Sequence, residues 1–140
     1  MYKTERTLWH SKIVYLSDDI DFTGQKPYKA RFNSKIFVFS RIDGWKRLYE
    51  DIIKELYSIN PRLLQDVADG QREFVMSDEP ALWSIGNREP AQTYDDSWWT
   101  KIDERIYLYT KNNTNKKIEH LRKFFDLYGI DQVELKILLY

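Results

Sequence analysis

The stretch DGWKRLYEDIIKELYSI, residues 43–59, constrains what this chain can fold into more than any other. Trp45, Leu48, Ile52 and Leu56 recur at helical spacing, and Tyr49, Ile53 and Ile59 widen the apolar stripe. A helix with so broad a stripe cannot stand alone; a sheet or other helices must cover it. Asp43 precedes it in the N-cap position. Asn60-Pro61 ends it and opens a second, shorter helix, PRLLQDVA, with asparagine as cap and proline at the first helical position.

The elements on either side read mostly as strands. SKIVYLS (11–17) is a first strand bounded by serines, followed by an acidic loop over 18–27. YKARF and KIFVFS form a predicted hairpin closed around Asn33-Ser34. In its second strand Ile36 and Val38 share one face, Phe37 and Phe39 the other, so the strand is expected to be central and covered on both sides. REFVMS (72–77) and RIYLYT (105–110) are further strands. KKIEHLRKFFDLYG is a helix with Ile118, Leu121, Phe125 and Tyr128 inward and Gly129 as its stop. QVELKILL closes as a strand, with Val133, Leu135 and Ile137 alternating against Glu134 and Lys136. Residues 78–104, broken by Pro80, Gly86 and Pro90, are expected to form a long irregular segment. The predicted fold class is α+β: one domain over residues 1–140, a mixed β-sheet with helices packed mainly on one face. The final strand–helix–strand unit favours a parallel, right-handed crossover.

Composition narrows the function classes. Aromatic residues make up 16% of the 140 residues, so a packed core is within reach. The absence of cysteine excludes disulfides, thiolate catalysis and cysteine-ligated zinc. No apolar run reaches membrane length and residues 1–20 show no secretory leader, so the expected location is cytoplasmic. Net charge is zero, but residues 1–47 carry 10 Lys/Arg against 5 Asp/Glu, residues 48–104 carry 5 against 13, and residues 105–140 carry 7 against 4. Two basic ends flank an acidic middle. That pattern steers a partner only if folding preserves the segregation.

TGQKPYKARFNSKIFVFSRIDGWKRLYEDIIKELYSINP resembles uncharacterised bacterial modules that run Gly-x-x-Pro turn, hairpin and tryptophan-led helix ending in Asn-Pro. The tail RIYLYTKNNTNKKIEHLRKFFDLYGIDQVELKIL resembles the end of the same modules, and the two stretches cover about half the chain. Such modules accompany bacterial restriction and defence proteins or stand alone. The resemblance implies a bacterial or phage defence context and an α+β fold, and it implies no catalytic residues.

The residues themselves offer little catalysis. His10 and His120 sit in no metal-protease frame, and the sequence contains no nucleophile elbow or phosphate-cradling loop. His120 is expected on the wet face of the last helix beside Lys116, Lys117 and Lys123. The sharpest enzymatic reading is a metal-dependent nuclease, with Glu134 and Lys136 on one strand and Asp103 on a neighbour. Asp18, Asp19 and Asp21 read as an acidic turn, lacking the glycine and distal glutamate of a calcium loop. No cofactor and no resident metal are expected. The leading expectation is a non-enzymatic protein-binding accessory or inhibitor. Its docking segment would be the acidic, aromatic stretch carrying Trp83, Tyr94, Asp95, Asp96, Trp98 and Trp99, and its partner a basic protein such as a nuclease or another defence component. Because Trp98 and Trp99 are adjacent, an extended backbone cannot point both inward. The alternative is a nucleic-acid-binding module using Lys116, Lys117, Arg122 and Lys123 on the last helix together with the basic N-terminal half.

Overall fold

A computed structural model of the chain describes residues 12–70, 85–86 and 98–140. Four strands form one antiparallel sheet in the order β1 (Lys12–Tyr15), β7 (Lys136–Leu139), β2 (Pro27–Phe32), β3 (Lys35–Val38). Three more form a second antiparallel sheet, β4 (Ile85–Gly86), β6 (Ile106–Tyr109) and β5 (Trp99–Asp103), with β6 in the middle. The helices are α1 (Gly44–Ile59), α2 (Pro61–Ala68) and α3 (Thr114–Tyr128). The class is α+β, as expected. The described pairings are all antiparallel, however, and β6 and β7 belong to different sheets, so no parallel crossover joins them. A helix between two strands reads as a crossover only when both strands share a sheet, which local sequence does not encode.

Local chemistry sets most boundaries. Asn33 and Ser34 have φ of 54° and 63°, the two left-handed residues a tight two-residue hairpin demands. Glu55 of α1, itself buried, accepts hydrogen bonds from Asn33 Nδ2 at 2.7 Å and Lys35 Nζ at 2.9 Å, which ties the hairpin to the helix. Replacing Ser34 with glycine is expected to stabilise the fold by ~1 kcal/mol, because glycine enters the left-handed region without the Cβ penalty; a urea unfolding series reads it. Asn60 caps α2 by accepting from the Arg62 amide at 3.2 Å, with Pro61 at the first helical position. Gly129 ends α3 at φ 68°. Asp43 occupies the N-cap position of α1, but its side chain makes no capping bond.

The core lies between the helices and the inner faces of the sheets. Leu48, Ile52 and Leu56 of α1, Leu121, Phe124 and Phe125 of α3, and Leu16, Ile137 and Leu139 are all fully buried. Phe32 meets Phe125 with ring centroids 5.0 Å apart, packing α3 on the inner face of the four-stranded sheet. Arg122 fixes the same helix to the first strand, donating from Nε to the Leu16 carbonyl at 2.8 Å and from its terminal nitrogen to that of Asp18 at 2.6 Å.

Two strand expectations change. β3 is an edge strand, with Ile36 62% and Val38 70% exposed, rather than central and doubly covered. Apolar character on both faces is also what a strand shows when one face is reserved for something outside the fold. The last strand begins only at Lys136: Gln132–Glu134 is a 3-10 turn capped by Asp131, and Val133 is exposed. The 78–104 stretch is not wholly irregular, since both β4 and β5 pair with β6. The strand expected over 72–77 lies outside the described residues.

Candidate functional site

Side chains alternate across a strand, so register shows which residues share the outer face of the four-stranded sheet. Ile13 lies opposite Leu138, Leu138 opposite Lys29, and Lys29 opposite Val38. In the next row Tyr15 lies opposite Lys136, Lys136 opposite Arg31, and Arg31 opposite Ile36. The opposite face carries Val14, Ile137, Ala30 and Phe32, all buried. No Asp or Glu occurs in these two outer rows.

A third row completes one end. Tyr140 continues the outward set of Lys136 and Leu138. The β2 register slips between Pro27 and Lys29, leaving Tyr28 in a bulge, where its ring centroid is 5.2 Å from that of Tyr140. The guanidinium of Arg41 sits 4.5 Å from the centre of the Tyr140 ring. Bulges re-aim side chains in this way.

The electrostatics of this face run against the stability of the sheet. Arg31 and Lys136 are direct cross-strand partners, and like charges directly opposite are destabilising. Among the described residues, none of Lys29, Arg31, Arg41 or Lys136 takes part in an ion pair. Leaving Ile36, Val38 and Ile13 more than half exposed forgoes on the order of 1 kcal/mol of burial each. Breaking two local rules on one face makes it the candidate surface for a partner.

The basic row expected on the last helix is not assembled. Lys117 is 6% exposed, and its Nζ donates to the carbonyls of Thr110, at 3.0 Å, and Asn112. Burial, helped by nearby Lys46, lowers its pKa to about 8. Arg122 is committed to the carbonyls of Leu16 and Asp18. Lys116 and Lys123 flank Glu119 at 3.8 and 3.9 Å. A lysine among charged neighbours reads as surface in sequence; the carbonyls of the turn ahead of α3 draw Lys117 inward.

His120 departs from expectation as well. It is 6% exposed, with the Tyr49 hydroxyl 3.2 Å from its Nδ1 and Asn112 Nδ2 at 3.4 Å from the same atom. Burial lowers its pKa to about 4, with Lys116, Lys117 and Lys123 adding to that and Glu119 opposing it.

Of the expected docking residues, Trp83, Tyr94, Asp95 and Asp96 lie outside the described residues. Trp98 and Trp99 are half-buried, and neither joins the core. Trp99 opens β5 and packs edge-on against Tyr109 at 5.1 Å, while Lys111 Nζ lies 5.7 Å from the Trp98 ring centre. Trp99 Nε1 is buried without a hydrogen-bond partner. The nuclease pair is separated: Asp103 ends β5 in one sheet, where it accepts from Tyr57, and Glu134 lies in the turn before β7 of the other. Tyr57 is also what holds the Asp103 carboxyl below its usual range. Among the described residues no three metal-ligating side chains cluster, and no helix is long and apolar enough to cross a membrane.

No protein-family model matches the chain, and no curated protein or solved structure does either.

The outer sheet face was missed by sequence reading, although its signals were present. Arg31 and Lys136 each sit between two buried residues and Lys29 lies two positions before Arg31, and the basic excess of both chain ends contained them. All four strands of this sheet come from the two basic segments, and folding brings Lys29 and Arg31 of the first together with Lys136 of the second on one face.

Proposed function

We propose that this is a non-enzymatic binding protein whose contact surface is the outer face of the four-stranded sheet, and that its partner is polyanionic. One observation carries the reading: two full rows of outward side chains that combine Lys29, Arg31 and Lys136 with exposed aliphatic residues and include no carboxylate. Phosphate or carboxylate groups in series would relieve the Arg31–Lys136 repulsion, and the aliphatic borders would exclude water around the contacts. In the defence setting implied by the resemblance of its terminal segments, such a protein serves as an accessory subunit or inhibitor.

The test is retention on a heparin matrix across a salt gradient. The protein is expected to bind and elute as salt rises, and Arg31→Ala is expected to elute earlier, with one fewer counterion released. Passage of the wild-type protein straight through at low salt would end the reading.

A second reading follows from Trp98 and Trp99, which are half-buried and lie outside the core. It makes the 98–99 corner an anchor for a protein partner, as the acidic aromatic segment first indicated. Affinity purification from the native host separates the two. Here Trp98→Ala loses the captured protein, whereas Arg31→Ala keeps it.

A further inference from the structure

We infer that the outer face of the four-stranded sheet binds single-stranded nucleic acid. The inference rests on the polyanion reading above and names the partner class. Tyr15 stands at the β1 border of the cation cluster, and the Tyr28–Tyr140 pair with Arg41 stands at its end, so flat rings flank Lys29, Arg31 and Lys136. A single strand presents phosphates in series together with unstacked bases. The phosphates match the cations, and the bases match the tyrosine rings and the guanidinium plane of Arg41. Exposed Ile13, Ile36 and Val38 gain from covering by base faces as well.

The competing occupants fit less of the surface. An acidic polypeptide satisfies the cations but brings nothing to stack on the rings. A duplex keeps its base faces inside its own stack, leaving the aliphatic borders wet. A second copy docked face to face would set Lys29, Arg31 and Lys136 against their own equivalents, and like-charge juxtaposition disfavours that. The helical cations add little, because Lys117 and Arg122 are held by backbone carbonyls and Lys116 and Lys123 flank Glu119.

The experiment uses the full chain and fluorescence anisotropy. The probe is a labelled mixed-sequence strand of about 12 nucleotides, within the site size of one sheet-based domain. Competitors are the same sequence as duplex, polyglutamate of matched charge, and anionic phospholipid vesicles. The single strand, as DNA or RNA, is expected to bind at least ~10-fold more tightly than any competitor, with affinity falling steeply between about 50 and 200 mM salt. Tyr15→Ala and Tyr140→Ala are each expected to weaken it by roughly 5- to 150-fold, with Tyr→Phe restoring it. The selectivity of the wild-type chain is informative whether or not these variants fold. Polyglutamate, duplex or vesicles binding as tightly as the single strand would overturn the inference and leave the polyanion reading standing. No binding to the strand or to heparin would remove both.

Discussion

Reversing Lys29, Arg31 and Lys136 to glutamate together is expected to cost at least about 100-fold in affinity for a polyanion. Each Lys or Arg near an anionic surface contributes ~1 kcal/mol, so neutralising three already removes that factor, and reversal adds repulsion. The slope of log affinity against log salt should flatten by about three contacts. The same substitutions should not harm the fold. Lys136→Glu alone replaces a like-charge cross-strand pair with an attractive one opposite Arg31, which is worth ~0.2–1 kcal/mol of added stability. Weaker binding with a raised urea midpoint is therefore the expected signature of Lys136→Glu alone, whereas the triple reversal exchanges one like-charge pair for another and should leave the midpoint near its original value. A variant that loses binding and stability together would show that the cations serve the fold instead of a partner.

The second large effect is acid sensitivity through His120. Its folded pKa is lowered to about 4 by burial, against an ordinary value of 6.5. Between those values the unfolded chain binds the proton and the folded chain does not, so stability rises with pH across that window. It is fully present above pH ~6.5 and lost as pH falls toward ~4, by roughly 3 kcal/mol at the lower end. The groups around the ring support the sign, since Lys116, Lys117 and Lys123 oppose a second positive charge and only Glu119 favours it. Urea midpoints at pH 7 and pH 4.5 measure the loss. His120→Gln keeps a polar group for Tyr49 and Asn112 and cannot titrate in this range, so its midpoint should change much less between the two pH values. An equal loss in both proteins would place the sensitivity elsewhere.

Both predictions turn on residues whose local setting misleads. His120 and Lys117 sit in a run of charged residues on a helix, which by residue type reads as solvated. They are buried because the turn before α3 folds back over that part of the helix and Tyr49 of α1 comes within reach. Lys29, Arg31 and Lys136 are unremarkable in their own strands. They become a cluster only because β7 inserts between β1 and β2, carrying Lys136 against Arg31 across a separation of more than a hundred residues.

What the sequence determined by itself is local. The α1 stripe, the Asn60-Pro61 junction, the Gly129 stop and the Asn33-Ser34 turn all follow from side-chain spacing and backbone preference, which act over a few residues. The α+β class follows from their order. Tertiary structure alone decided that the strands divide into two antiparallel sheets, that β3 lies at an edge with its outer face open, and that Lys136 meets Lys29 and Arg31 on one surface. Strand pairing is a long-range choice made by the burial of whole faces, and no short window of residues carries it.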